Sequence, residues 1–319
     1  MKAAIVTGPG KTPIYGDFQE PQPKEGEELI HVTASALSHL TNGRAAGSHY
    51  SSTGQFPAVA GVDGVGRTSD GRRVYFVLPN APFGAMAERV AIRKAQCIPL
   101  PDGVDDLTAA AIANPGMSSW AALKERARLV PGEHVLINGA TGVSGQLAVQ
   151  IAKHMGAKKV IATGRNAHAL EELKGLGADV TVSLMLPAEE LEAALHEQFA
   201  GDGVHVVLDY LWGKSAETLI TTAAKADKEG VPMRYVNIGS MTGGDITLPA
   251  AALRAVDLKL MGSGIGSVPF AGLLGAIRDV MEAVVPGRFQ IATDAVPLVD
   301  VEANWNRDSG NSRVVFVVG

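Results

Sequence analysis

VLINGATGVSGQLAVQIAKHMGAKKVIATGRN, residues 135–166, reads as strand, glycine turn, helix, second strand and then an arginine. Val135 to Ile137 form a short apolar run, and Gly139, Thr141, Gly142 and Gly145 crowd the turn. A helix over Gln146 to His154 follows, with Leu147, Ile151 and Met155 among its apolar positions. The glycines have separate tasks: a tight turn, close approach of backbone to a pyrophosphate, and close packing of helix on strand. A helix starting at Val143 or Ser144 points unpaired N–H groups at phosphate, and the hydroxyl of Thr141 or Ser144 adds a donor. Together with Ala140, these residues form the expected dinucleotide turn, half of a mononucleotide-binding unit.

The second strand, Lys159 to Thr163, ends in Gly164, Arg165 and Asn166. A carboxylate at such a tip binds the 2′-hydroxyl of NAD and repels a 2′-phosphate. Here a small glycine leaves room and Arg165 offers a charged fork, so the expected cofactor is NADPH. The alternative is that Arg165 is a solvated surface residue.

From this turn the alternating pattern extends in the C-terminal direction. Helices are expected near 167–175, over Pro187 to Phe199 and over about 214–227. Strands are expected over Asp179 to Ser183, Val204 to Leu208, Arg234 to Ile238 and Leu258 to Met261. About six parallel strands with covering helices result, and a ligand belongs outside their C-terminal ends. Tyr210, Gly239, Ser240, Met241, Gly262, Ser263 and Gly264 emerge there, so they join the candidate cofactor contacts. Tyr210 and Trp212 are the candidates to border adenine or the cleft.

Upstream, residues 1–115 are rich in short β-type runs at Ala3 to Thr7, Glu28 to Ala34, Val59 to Thr68, Arg73 to Leu78 and Phe83 to Ala91. Turn clusters separate them, as in a compact, partly barrel-like domain. Helices are expected at Asp105 to Asn114 and Met117 to Arg126. After a helix from Phe270 to Val285, a strand-like run over Phe289 to Ala295, a helical piece from Val299 to Asn306 and the strand Arg313 to Val318 break the alternation. This end is expected to return to the first domain. The resulting division is a discontinuous catalytic domain, 1–115 with 266–319, and a nucleotide domain, 116–265, with the active site in their cleft.

A chain of 319 residues supports two cores of ordinary size. Its 46% hydrophobic and 19% charged residues describe a well-buried protein without the signature of disorder. The net charge of -5 argues against nucleic acid or an anionic membrane as a general partner. No apolar run reaches membrane-spanning length, and the strand pattern that begins at once in MKAAIVTG predicts no signal segment. Cys97 is the one cysteine, which excludes an internal disulfide and a four-thiolate zinc site. The cytoplasm is the expected compartment.

VPGEHVLINGATGVSGQLAVQIAKHMGAKKVIATGR, with GVDGVG at 61–66, GVHVVLDY at 203–210 and the ending VPLVDVEANWNRDSGNSRVVFVVG, resembles the medium-chain dehydrogenase/reductase superfamily in its zinc-independent quinone oxidoreductase-like branch. The resemblance covers almost the whole chain. It implies an α/β protein with a GroES-like, β-rich catalytic domain and a Rossmann-type doubly wound parallel sheet, assembled as a homodimer. Zinc-containing relatives carry a cysteine near Ser38, a Gly-His-Glu motif where this chain has Gly61, Val62 and Asp63, and a four-cysteine lobe that is missing here. His39 and His49 lack an obvious third and fourth ligand, so no metal site is expected.

The resemblance implies NADPH-dependent reduction of a quinone or an α,β-unsaturated carbonyl compound. Such electrophiles spread the arriving negative charge onto oxygen. Enoyl-thioester reduction, or a catalytically weak NADPH-binding redox sensor, is the alternative. Tyr50, in the loop GRAAGSHYSSTG, is the first choice for proton donor; a binding role or a solvated loop are its other readings. Ser38, Thr41 and Asn42 are further polar groups at the nicotinamide end, with Ser38 and Asn42 ranked beside Tyr50, although Ser38 is equally suited to cap a helix. Asn114 approaches the cofactor or forms a turn before Pro115. Asp63 organises its turn or acts as an acid. Asn311 and Arg313 stand where the family brings a basic residue toward the cofactor; for Arg313 a strand-edge surface role is the alternative.

Overall fold

A computed structural model of the chain describes residues 1–226, 230–307 and 310–319. They form two compact units, Met1–Asn114 with Ile277–Gly319, and Pro115–Ala276. In chain order the first unit opens with β1 (Lys2–Val6), β2 (Ile14–Asp17), β3 (Glu27–Ala36), α1 (His39–Ala46), β4 (Ala58–Val59), β5 (Asp63–Thr68), β6 (Arg73–Val77), β7 (Arg89–Arg93) and β8 (Cys97–Pro99). Helix α2 (Asp106–Ala121) carries the chain into the second unit, which contains β9 (His134–Asn138), α3 (Val143–His154), β10 (Lys159–Gly164), α4 (Ala167–Gly175), β11 (Val180–Ser183), α5 (Ala188–Ala200), β12 (Val206–Asp209), α6 (Gly213–Lys225), β13 (Met233–Asn237), α7 (Ala252–Ala255) and β14 (Leu258–Gly262). Helix α8 (Phe270–Ala283) leads back to the first unit and its last elements, β15 (Thr293–Pro297), α9 (Val301–Asn304) and β16 (Arg313–Val317).

The second unit is a six-stranded sheet in the order β11-β10-β9-β12-β13-β14, with every pairing parallel. Strand order therefore reverses between β9 and β12, the kind of switch point that leaves a crevice at the strands' C-terminal ends. Leu136, Ile161, Val207 and Tyr235 of the sheet pack with Leu195, Phe199, Leu219 and Ile220 of α5 and α6. Burial on both faces explains why these strands read as continuous apolar runs.

In the first unit β2-β1-β4 form a small antiparallel sheet. A seven-stranded sheet runs β15-β16-β3-β5-β6-β8, with β7 also paired to β3. The final strand lies antiparallel to β3, Val315 opposite Ala36 and Val317 opposite Ala34. Its core joins Ala4, Val6, Met86, Val314, Phe316 and Trp305, beside a second cluster of Ile30, Val74, Phe76 and Val90.

Several local expectations are corrected. The two helices expected on either side of Pro115 are one, α2, which continues as a π-helix over Ala122–Ala127. Pro115 removes one hydrogen bond of the ladder, yet Ala109 to Ala113 and Ala121 to Leu123 are fully buried, so packing holds the helix through it. The run over Val59 to Thr68 is broken into β4 and β5, and the strand expected over Phe83 to Ala91 begins only at Arg89. Helix α1, with a glycine in its middle and no apolar period, carries no helical signal of its own in the sequence beyond the capping alternative at Ser38. The last residue of the helix expected over 214–227, Asp227, lies outside the described residues. The second unit ends at Ala276 rather than at 265, since Gly272 on α8 faces Val268 and Glu125 of that unit.

Candidate functional site

In the second unit the turn between β9 and α3 is built by close backbone packing. Gly139 has φ +90°, a conformation that costs a side chain dearly. A Cβ on Gly145 would stand 2.4 Å from the Gly139 carbonyl oxygen and 2.5 Å from Ala140 Cα, so only glycine lets α3 rise this near the strand. A Cβ on Gly142 would meet nothing within 4 Å. Gly142 is the N-cap of α3, no side chain caps it, and the first turn holds no acidic residue. The N-terminal N–H groups of a twelve-residue helix are thus presented without a competing anion.

A buried polar network underlies the turn. The Thr163 hydroxyl donates to Asn138 Oδ1 at 2.8 Å and accepts from the Gly139 N–H at 3.3 Å. Asn138 Nδ2 donates to Asp209 Oδ1 at 2.8 Å and to Ser215 Oγ at 2.9 Å. The same Asp209 oxygen accepts from the N–H groups of Leu211 and Trp212, and Oδ2 accepts from the Tyr235 hydroxyl at 2.8 Å. Burial, then the Asp209 charge, holds the Tyr235 phenol well above its ordinary value, so it stays a donor. One carboxylate therefore ties the ends of β9 and β12 to the middle of β13. Sequence reading missed this network; its signal is one polar residue closing each apolar strand, Asn138, Thr163 and Asp209.

Arg165 is exposed beyond the end of β10, and among the described residues no carboxylate pairs with it. Read from sequence, the room at Gly164 belongs to a ligand, but Thr141 fills it: a Cβ there would collide with Thr141 Cγ2 at 2.3 Å. Asn166 caps α4, its Oδ1 accepting from the Ala169 N–H at 3.1 Å. Tyr210 does not border an open surface. Its ring is buried, its hydroxyl lies near those of Ser118 and Ser119 without hydrogen-bond geometry, and burial raises its pKa. Its backbone matters instead, since the Tyr210 carbonyl would stand 2.7 Å from a Cβ on Gly239. Ser240 and Met241 are exposed. Gly262 is open, the Ser263 N–H donates to the Asn237 carbonyl, and the Gly264 N–H donates to Ser267 Oγ. Asn114 lies within α2 and not in a turn.

The first unit holds the remaining candidates. Ser38 is the N-cap of α1: its Oγ accepts from the Thr41 N–H at 3.0 Å and lies 2.9 Å from Thr41 Oγ1, buried. Of the two readings of Ser38, helix cap and substrate contact, these bonds carry the cap. Asn42 Oδ1 is buried with no hydrogen-bond partner among the described residues. Tyr50 is 72% exposed and its ring lies 4.2 Å from that of His49. His49 Nδ1 is 2.8 Å from Ser51 Oγ. Asn311 is partly buried.

Arg313 is neither at a strand edge nor at the surface: it is 8% exposed, and its Nε and Nη2 have no partner among the described residues. Burial draws its pKa down while Asp63 and Tyr75 oppose the shift. Asp63 accepts from the Tyr75 hydroxyl at 2.5 Å and its other oxygen has no partner. Burial raises the Asp63 carboxyl to about 6, against the Tyr75 hydrogen bond and the Arg313 charge. Among the described residues no three His, Cys, Asp or Glu side chains come together in a way that would hold a metal ion.

The family described as zinc-binding dehydrogenase matches residues 144–283. A probable NADPH-dependent quinone reductase of Emericella nidulans is 29% identical, over 99% of this chain and 100% of that protein. Among solved structures, a probable oxidoreductase from Mycobacterium abscessus is 25% identical with a TM-score of 0.78, covering 99% of both chains. A mycobacterial quinone oxidoreductase, 21% identical, has a TM-score of 0.84 and likewise covers 99% of both chains, a likeness of fold.

Proposed function

Because the chain belongs to the medium-chain dehydrogenase/reductase superfamily, in its quinone-reductase-like branch, we propose that it is an NADPH-dependent oxidoreductase that reduces a quinone or an α,β-unsaturated carbonyl compound. The observation that carries this reading is the turn at Gly139–Gly145, with open backbone at Gly142 and, beyond the neighbouring strand, an exposed Arg165 that pairs with no carboxylate among the described residues. The N–H groups of Val143 and Ser144 would hold the pyrophosphate, and Arg165 a 2′-phosphate. Backbone at Gly239 to Met241 and Gly262 to Gly264, at the ends of β13 and β14, would receive the nicotinamide end. NADPH supplies hydride to the electrophilic carbon when bound.

The first unit acts as the catalytic domain and the second as the cofactor domain. Reduction of a conjugated C=C leaves negative charge on the substrate oxygen, which a hydrogen-bond donor stabilises, and a proton then completes the saturated product. Tyr50 carries the exposed hydroxyl suited to that proton, and Asn42 the amide suited to orient the oxygen. The assembly is a homodimer formed at the outer edge of β14, where Leu260 is exposed, and the compartment is the cytoplasm. No described helix is long and apolar enough to cross a membrane.

The test is NADPH oxidation by the purified chain with quinones, enones, enoyl thioesters and aldehydes, monitored at the nicotinamide absorbance. Turnover with quinones or enones is expected. Turnover confined to enoyl thioesters would move the substrate class, and tight NADPH binding with no oxidation by any acceptor would replace the enzyme by a sensor.

A further inference from the structure

Helix α1 turns one face, Thr41, Arg44 and Ala45, toward a cavity of about 60 Å³ within the first unit. Phe56 and Phe83 supply apolar wall, and Thr53 and Gln55 stand exposed at its mouth. No acidic residue lines it. Arg44 is half-buried; its guanidinium makes no hydrogen bond and pairs with no carboxylate among the described residues. Arg72, Arg73 and Arg89 of this unit differ, each holding a carboxylate at 2.9 Å or less, while Arg313 shares the unpaired state but is buried beside Asp63 and away from this cavity's lining.

We propose that this cavity is a small-anion subsite in which Arg44 takes the carboxylate of an acidic α,β-unsaturated substrate. The inference rests on the function proposed above and narrows its substrate class. A cation withdrawn from water without a counter-ion is costly, and a carboxylate returns that energy through two parallel N–H···O bonds to the planar fork. Burial already pulls the Arg44 pKa below its ordinary value, and burial together with the Arg44 charge pulls His49 down. The hydroxyl of Thr41 is engaged by Ser38, which leaves Thr53 Oγ1 and Gln55 Nε2 as additional donors. Size selects the group: water needs roughly 10–15 Å³ of such volume, so about 60 Å³ admits a carboxylate and excludes a quinone ring. The ring or acyl end of a substrate must then lie outside this cavity.

The experiment compares kcat/KM for 4-oxopent-2-enoate and its methyl ester in the wild type, Arg44→Gln and Arg44→Lys. The wild type is expected to favour the acid by roughly 10- to 100-fold, Arg44→Gln to bring that ratio near one, and Arg44→Lys to recover part of it. A wild-type ratio at or below one, or a ratio unmoved in Arg44→Gln, overturns the subsite while leaving the reductase intact. A second arm needs no turnover: acrylate titrated calorimetrically into the full chain should bind saturably to the wild type and not to Arg44→Gln. Acrylate binding without NADPH oxidation by any acceptor would sink the reductase and keep the anion site. Equal acrylate binding by both proteins would remove Arg44 from it.

Discussion

Among the described residues each compact unit buries one aspartate, and the two are held in different ways. Asp209 accepts from Asn138, Tyr235 and the N–H groups of Leu211 and Trp212. Among the described residues Asp63 has Tyr75 alone, a second oxygen with no partner, and Arg313 near enough to act through its field without a hydrogen bond or ion pair. Four donors make a buried carboxylate a strut, because ionisation is compensated at every lone pair. A single donor leaves much of the desolvation uncompensated, and the carboxyl retains its proton to a higher pH.

If Asp209 is a strut, removing it strands four donors at once. Asp209→Ala is expected to destabilise the chain by on the order of 4 kcal/mol, with NADPH binding lost alongside because Gly139 hangs from the same network. The urea midpoint measures the first and calorimetric titration the second. A loss below about 1 kcal/mol would show that water replaces the carboxylate and that the network is dispensable.

The Asp63 cluster makes the contrasting prediction. Its folded pKa of about 6 lies above the ordinary 3.8, so between those values the folded chain keeps a proton that the unfolded chain has released. Stability therefore falls as pH rises through this window, by on the order of 3 kcal/mol in total, and levels off above it. Tyr75 of β6 and Arg313 of β16 face the carboxyl, and burial, with Arg313 adding to it, lowers the pKa of His39. Asp63→Asn should flatten the fall between pH 4 and 6 in urea midpoints taken at half-unit steps. An unchanged slope would assign it to other groups.

The same contrast explains what could be read in advance. Strands β9 to β14 obey local rules: apolar runs, a helix after each turn, and glycines where backbone crowds backbone, all visible within a few dozen residues. In the first unit the decisive contacts are remote in sequence. Strand β16 pairs with β3 nearly the whole chain away, and that pairing buries Arg313 beside Asp63, which no local pattern announces. Helix α1 leaves little local trace because HLTNGRAA has no apolar stripe, and the one cue to its start, Ser38, is equally readable as a cap and as a substrate contact. Tyr210 failed for a related reason: an aromatic at a strand end can turn inward as easily as outward, and here it is buried.

Within the second unit two glycines separate packing from binding. Gly145→Ala forces a Cβ against backbone and should cost about 2 kcal/mol of stability. Gly142→Ala adds its methyl in open space, so stability should stay within about 0.5 kcal/mol while NADPH affinity falls. Equal urea midpoints for the two variants would deny that Gly145 is set by the approach of α3 to β9. An unaltered NADPH affinity in Gly142→Ala would deny that this backbone meets the pyrophosphate.

Arg165 should give the smallest effect, and the reason is its exposure. A guanidinium in water gains less from a phosphate than a buried one does, because solvent and salt screen the charge. Arg165→Ala is accordingly expected to weaken NADPH roughly 10-fold and NADH hardly at all, with the difference shrinking as ionic strength rises. Binding of both cofactors measured at two salt concentrations separates a phosphate clamp from a change in the turn. A clamp moves only the phosphorylated cofactor and does so more at low salt, whereas a disturbed turn weakens both alike. Equal losses would return Arg165 to the solvated surface and leave the choice of cofactor to the backbone.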